Sequence, residues 1–222
     1  SGLSAGVVTA LFAGTTTYIY EGRFDPQNIL RVIDKYKITS WGGAVPTALK
    51  RVLDEAPNHN LDYESMLVVG GGGAPMPETL IARTKQIFKN VEHNFGYGYG
   101  LTESGAITVV NWGDDLNNFP RSPGKPMPTI EVKLIDDDGN EIFDDEMEGE
   151  ICVRSPSVML GYYKNQIESK KSLNKDRFLS TGDYGYRKDD LYFISSRRTD
   201  LILRGAENVY PQEIEILLDQ YD

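Results

Sequence analysis

Four short runs in this sequence combine side chains and backbone freedom in ways that suit nucleotide chemistry. The first is Gly70-Gly71-Gly72-Gly73-Ala74-Pro75, which follows the apolar residues 66–69. Glycines at the carboxyl end of a buried parallel strand let backbone approach a flat or anionic ligand with no Cβ in the way. A tight strand-to-helix turn would use the same residues. The second run is Asn94-Phe95-Gly96-Tyr97-Gly98-Tyr99-Gly100-Leu101-Thr102-Glu103-Ser104. Its alternate glycines free the backbone, its tyrosines offer stacking faces, Thr102 can donate to a phosphate oxygen, and Glu103 can reach Mg²⁺, which takes one or two carboxylates together with substrate phosphates. No G-K-[ST] closes the run, so it is not a P-loop, and its glycine spacing is not the dinucleotide fingerprint. The third run is Ser180-Thr181-Gly182-Asp183, where an aspartate on a tight turn can accept hydrogen bonds from both vicinal hydroxyls of a ribose. The fourth is Arg197, whose guanidinium suits phosphate and ribose oxygens alike.

Other reactive residues point elsewhere. Cys152, the single cysteine, stands between Ile151 and Val153 and reads as a strand residue; alone it excludes an internal disulfide or a multi-cysteine zinc site and suits a reducing cytoplasm. His59 lies in a turn-like segment and His93 in an expected strand; neither has the companions of a metal site or a triad. The formal charge is −10, from 23 basic and 33 acidic residues, and no basic, aromatic-laced patch is present, which argues against nucleic acid. The acidic clusters at 136–138 and 144–150 read as solvated hairpin tips. No window approaches the ~20 apolar residues of a membrane span. Residues 6–13 are apolar but short and lack a basic leader, which reads as a buried helix, not a signal peptide.

The elements that must position these residues fall into two textures. The first hundred residues alternate helix and strand. A first helix closes at Gly14, and the β-branched, aromatic run 15–20 reads as a strand. Asp25-Pro26 caps a helix carrying Ile29, Leu30, Ile33 and Tyr36, and Pro46 opens another with Leu49, Val52 and Leu53. Residues 38–41 and 65–69 are extended, Pro77 starts a helix with Leu80, Ile81, Thr84 and Ile87, and 91–95 is the next strand. This punctuation predicts an α/β fold with a mostly parallel sheet flanked by helices. From Asn111 the sequence turns polar and proline-dotted, and strands at Glu131–Ile135, 141–143 and Gly149–Arg154, with an Asp138-Gly139 turn, predict a small antiparallel β-barrel or distorted sheet. A strand from Leu201, a turn at Gly205 and a helix at 211–218 begin a C-terminal α+β domain. The expected division is 1–110, 111–198 and 199–222.

In order and spacing, the runs resemble the adenylate-forming superfamily that includes acyl-CoA synthetases, peptide-synthetase adenylation domains and beetle luciferases. Gly72-Gly73-Ala74-Pro75 resembles its adenine-facing turn, and Tyr99-Gly100-Leu101-Thr102-Glu103 matches Y-G-x-T-E. Gly149-Glu150-Ile151-Cys152-Val153-Arg154, running on to Gly161-Tyr162-Tyr163, matches G-E-[LI]-x-V-R…G-Y. Thr181-Gly182-Asp183 matches T-G-D, Arg197 falls at the hinge-adjacent arginine, and residues 205–215 resemble the start of the mobile C-terminal domain. The texture is closest to the acyl- and aryl-CoA ligase branch.

The resemblance implies a ligase that activates a fatty or aromatic acid with ATP to acyl-AMP and then transfers the acyl group to coenzyme A. No covalent nucleophile is needed, so the work is positioning and charge stabilisation. It implies that Thr102 holds phosphate, Glu103 holds Mg²⁺, Asp183 binds the ribose hydroxyls and Arg197 supports ribose or phosphate. Gly73, Ala74 and Pro75, with Tyr97, Gly98, Tyr99, Gly100 and Leu101, frame the nucleotide. Thr199 takes the hinge position, where relatives usually carry Asp or Lys, and Gly205 and Ala206 border the thiol's approach, where relatives often carry Gly-Gly. The acyl pocket is expected around 41–46, with Gly42, Gly43, Gly71 and Gly98 leaving space for a long or bulky acid. The family's triphosphate loop is expected upstream of Ser1 and its C-terminal lysine beyond Asp222, so the chain reads as a fragment with negligible turnover, a nucleotide- or acyl-binding module by itself. Loading of a carrier protein is the alternative to CoA, and a homodimer of the full-length protein stays open.

Overall fold

The computed structural model describes residues 6–91, 93–105, 109–112, 118–197, 202–204 and 207–209, together with Ile214 and Leu218. The chain divides into two compact units, Ser1–Tyr99 with Asn111–Arg121, and Gly100–Val110 with Ser122–Asp222.

In the first unit, helices α1 (Thr9–Ala13), α2 (Pro26–Tyr36), α3 (Pro46–Glu55) and α4 (Glu78–Ile87) accompany strands β1 (Ser40–Ala44), β2 (Val68–Gly72) and β3 (Phe95–Tyr99). Both β1 and β3 pair with β2 in parallel. Local chemistry sets the helices. Oδ1 of Asp25 accepts hydrogen bonds from the backbone N–H groups of Gln27 at 3.1 Å and Asn28 at 3.4 Å, and Pro26 opens α2. Leu30 and Ile33 then face inward one turn apart, as do Leu49, Val52 and Leu53 of α3, all buried with Val69 and Phe95 of the sheet. This is the helix-flanked parallel sheet that the punctuation predicts.

Three expectations for this unit are corrected. Residues 15–20 form no strand and are exposed, because stiff β-branched residues favour extension but a strand needs a ladder to join. Helix α1 buries none of its side chains; Leu11 and Phe12 are exposed, so apolar composition alone did not secure a core position among the described residues. The strands expected at 65–69 and 91–95 run later, at β2 and β3, so the glycine runs are the strands themselves. Parallel pairing uses only backbone groups, and Gly70, Gly71 and Gly72 bond alongside Gly96, Tyr97 and Gly98. Consequently His93 lies in an exposed turn, not a strand.

The second unit carries an antiparallel sheet in the order β10 (Leu191–Arg197), β9 (Leu179–Lys188), β8 (Gly149–Arg154), β6 (Glu131–Ile135), β7 (Glu141–Ile142). It is an open, irregular sheet, so of the two forms expected it takes the distorted sheet and not the barrel. The Asp138-Gly139 hairpin joins β6 to β7, tightened by Oδ1 of Asp136 accepting from the N–H groups of Asp138 at 3.0 Å and Asn140 at 2.7 Å. A short ladder joins β4 (Val109–Trp112) to β5 (Lys125–Pro126) through Val109 and Val110. Helix α5 (Gln166–Ser172) precedes β9, and β11 (Ile202–Arg204) pairs with β12 (Glu207–Val209). Most of the helix expected at 211–218 lies outside the described residues. No described helix is long and apolar enough to cross a membrane.

Candidate functional site

Strand β3 fixes the aromatic and glycine alternation. Phe95 and Tyr97 point into the core of the first unit, and burial pushes the Tyr97 phenol up to about 12. The expected stacking face at Tyr97 is therefore a core side chain; Tyr99, at the strand's end, is half-buried. The glycine between Phe95 and Tyr97 has a packing reason. A Cβ on Gly96 would fall 1.9 Å from the Trp112 ring, so only glycine lets that indole cover the strand. At the carboxyl end of β2 the backbone bends through Gly73, with φ +80°, and leaves Ala74 and Pro75 exposed. Gly42 and Gly43, expected beside the acyl group, are exposed on β1.

The second unit carries two constellations. In one, residues 102–105 make a turn closed by Ser104, whose buried Oγ donates to the Leu101 carbonyl at 3.1 Å and accepts from the Leu101 N–H at 3.0 Å. A second segment holds the turn from outside. The Met159 N–H donates to the Glu103 carbonyl at 2.8 Å, and the Ser157 hydroxyl donates to the Ser104 carbonyl at 2.8 Å. This leaves Thr102 exposed and Glu103 half-buried, and Oε1 of Glu103 accepts a hydrogen bond from the Tyr162 hydroxyl at 3.1 Å. Among the described residues no group of three His, Cys, Asp or Glu side chains is gathered to hold a metal. A carboxylate without such companions fits Mg²⁺ bound chiefly through substrate phosphates and water, not a metal caged by protein.

In the other constellation, Asp183 sits in a bulge within β9 and not on a free turn. Glu150 pairs with Tyr184 and Cys152 with Ser180, so β9 carries two more residues than β8 across this stretch. Gly182 takes the left-handed φ of +73° that the excursion needs. Three hydrogen bonds fix it. The Thr181 hydroxyl donates to the Ile151 carbonyl at 2.7 Å, the Asp183 N–H donates to Thr181 Oγ1 at 3.1 Å, and the Gly182 N–H donates to Oε1 of Glu150 at 3.0 Å. Strand β10 has its own irregularity: Ile194 pairs with Gly185 but Ser196 with Tyr184, so Ser195 is an extra residue and Arg197 stands opposite Asp183. Nε of Arg197 donates to Oδ1 of Asp183 at 2.8 Å; the carboxylate side chain is 5% exposed and the guanidinium side chain 62%. A buried carboxylate beside a solvent-facing guanidinium can bind neutral hydroxyls and an anionic group side by side.

Sequence reasoning named Thr102, Glu103, Asp183 and Arg197 but gave no role to Tyr162, Glu150 or Ser195. Tyr162 carried a signal, since it sits in the Gly161-Tyr162 pair already singled out. Thr199, Gly205 and Ala206 lie outside the described residues. Cys152 is a strand residue as expected, and burial pushes its thiol up to about 11. His59 is held by Glu55, 2.7 Å away, and by Gln27 at 3.2 Å.

Residues 1–163 match the AMP-binding enzyme family. The chain belongs to that family. Within it, a long-chain-fatty-acid–CoA ligase of Bacillus subtilis is 33% identical over 204 residues, covering 90% of this chain and 35% of that protein. Two solved structures share the fold. The o-succinylbenzoate coenzyme A synthetase of Bacillus subtilis, in complex with ATP and magnesium ion, gives a TM-score of 0.83 at 30% identity over 98% of this chain and 43% of that one. The anthranilate CoA ligase AuaEII, in complex with anthranoyl-AMP, gives 0.87 at 26% identity over 99% and 42%. The chain thus spans less than half the length of these relatives.

Proposed function

We propose that the full-length protein is an AMP-forming acid–thiol ligase: it joins a fatty or aromatic carboxylic acid to AMP at the expense of ATP, then passes the acyl group to coenzyme A. The observation that supports this best is Asp183, a carboxylate buried on a bulge and fixed from both neighbouring strands, with its Oδ1 in the grip of Arg197. Such a rigid acceptor suits the two hydroxyls of a ribose, and Arg197, facing solvent, suits an adjacent ribose or phosphate oxygen. The exposed Thr102 hydroxyl is proposed to donate to phosphate, with Glu103 holding Mg²⁺. The metal supplies charge neutralisation at the phosphates. The bend at Gly73, Ala74 and Pro75, and the ring of Tyr99, are proposed to meet adenine. Residues 199–222 are proposed to begin a mobile C-terminal domain, Thr199 acting as the hinge and Gly205-Ala206 bordering the thiol. We place the protein in the cytoplasm, in keeping with its single, buried cysteine thiol.

A hydroxamate-trapping screen of carboxylic acids with the full-length protein, ATP and Mg²⁺ tests the reading. One acid should give acyl hydroxamate with stoichiometric pyrophosphate, and adding CoA in place of hydroxylamine should give the thioester. Pyrophosphate release with no dependence on any carboxylic acid would refute it.

A further inference from the structure

We infer that Tyr162 is a positioning residue for Glu103: its hydroxyl orients the carboxylate for the divalent cation that accompanies the nucleotide. This rests on the reading of Glu103 as the Mg²⁺ carboxylate and assigns a task to the Gly161-Tyr162 pair, which that reading leaves unused.

A half-buried glutamate has three side-chain torsions to fix, and the Tyr162 hydroxyl fixes the far end by donating to Oε1 at 3.1 Å, leaving Oε2 for another partner. The tyrosine is itself held in place. Its backbone N–H donates to the Ser169 hydroxyl at 2.8 Å, and that hydroxyl donates to the Asn165 carbonyl at 2.7 Å, tying Tyr162 to the first turn of α5. A Cβ on Gly161 would fall 2.9 Å from the same Ser169 oxygen. Just upstream, Met159 and Ser157 bind the backbone of the Glu103 turn. One segment, 157–162, therefore grips the turn at two backbone carbonyls and at its carboxylate. Gripping the main chain alone would secure the fold of the turn; the third contact reaches the carboxylate that would meet the ion and leaves its other oxygen for it. Partners that orient a metal ligand in this way typically alter metal affinity about 10- to 100-fold when removed.

The test is calorimetric and uses a non-hydrolysable ATP analogue, so that binding is read without turnover. Full-length wild type, Tyr162→Phe, Glu103→Gln and the double variant are titrated with and without Mg²⁺, and the gain in affinity due to the metal is compared. Tyr162→Phe should cut the Mg²⁺-dependent gain about tenfold, keep the metal-free affinity and the melting temperature of wild type, and add nothing in the Glu103→Gln background. If Tyr162→Phe keeps the full gain while Glu103→Gln loses it, Tyr162 does not position the carboxylate and the Mg²⁺ reading of Glu103 survives. If Glu103→Gln also keeps the full gain, that reading fails and takes the inference with it. A Tyr162→Phe variant that binds Mg²⁺ more tightly, or that weakens metal-free binding equally, overturns the positioning role.

Discussion

Arg197 meets Asp183 at 2.8 Å because strand β10 holds one residue more than its partner requires. Were Ser195 paired in turn after Ile194 and Gly185, Ser196 would stand opposite Asp183 and Arg197 opposite Gly182. The register slip, and not the strand sequence by itself, brings cation to carboxylate.

Replacing Asp183 by Asn keeps the shape but removes the charge that Arg197 and a ribose would share. Hydrogen bonds to charged groups contribute about 1.5–3 kcal/mol each, so affinity for an ATP analogue should fall about 10- to 100-fold in the full-length protein. Arg197→Ala should weaken binding too, with a smaller cost to folding, because its side chain is 62% exposed and solvent screens the pair. Calorimetric titration and thermal melting of both variants check this.

Asp25 is expected to matter for stability and not for ligands. Its carboxylate caps α2 by accepting from two N–H groups. Asp25→Ala should cost about 1 kcal/mol in urea-induced unfolding while leaving nucleotide affinity unchanged.

Leu49 reports on the core beneath the first unit's sheet. It is fully buried in the middle of α3. Leu49→Ala should destabilise by about 2–5 kcal/mol, the spread depending on how far Val52, Leu53 and their neighbours close the cavity. Urea midpoints of variant and wild type measure it.

Cys152 should resist alkylation in the native protein and impose a high-pH slope on stability. Burial pushes its thiol from the ordinary 9.0 up to about 11. Between these values the unfolded chain has lost its proton while the folded chain keeps it, so the contribution is full below pH 9 and falls away as pH rises towards 11. Cys152→Ala should flatten the stability profile in that window. Iodoacetamide at pH 8 should label the native protein far more slowly than the unfolded one.

What the sequence made legible was local. Asp25-Pro26 and Pro46 announce helices through groups within four residues of each other, and Asp138-Gly139 announces its hairpin the same way. The glycine runs misled, since glycine reads as loop wherever its neighbours are ignored, whereas here Gly70–Gly72 are strand residues because another glycine-rich strand lies beside them. The candidate residues Thr102, Glu103, Asp183 and Arg197 were visible by type and order. What aligns them was not: the Ser195 bulge depends on pairing between strands, and Tyr162 reaches Glu103 across 59 positions of chain. Tyr97 and Tyr99 look alike in sequence and share a face of β3, and only their place along it, Tyr97 within the strand and Tyr99 at its end, separates a core ring from a half-buried one.

The two surplus residues of β9 have an arithmetic of their own. Because the count is even, Leu179 before the excursion and Gly185 after it still look to the same side, opposite Val153 and Gly149. Trimming one residue from 181–183 would leave a single surplus residue, to be absorbed as a bulge like that at Ser195. Trimming two would spare the sheet and erase only the aspartate's perch. Shortening this segment should therefore remove the aspartate's support without unfolding the sheet.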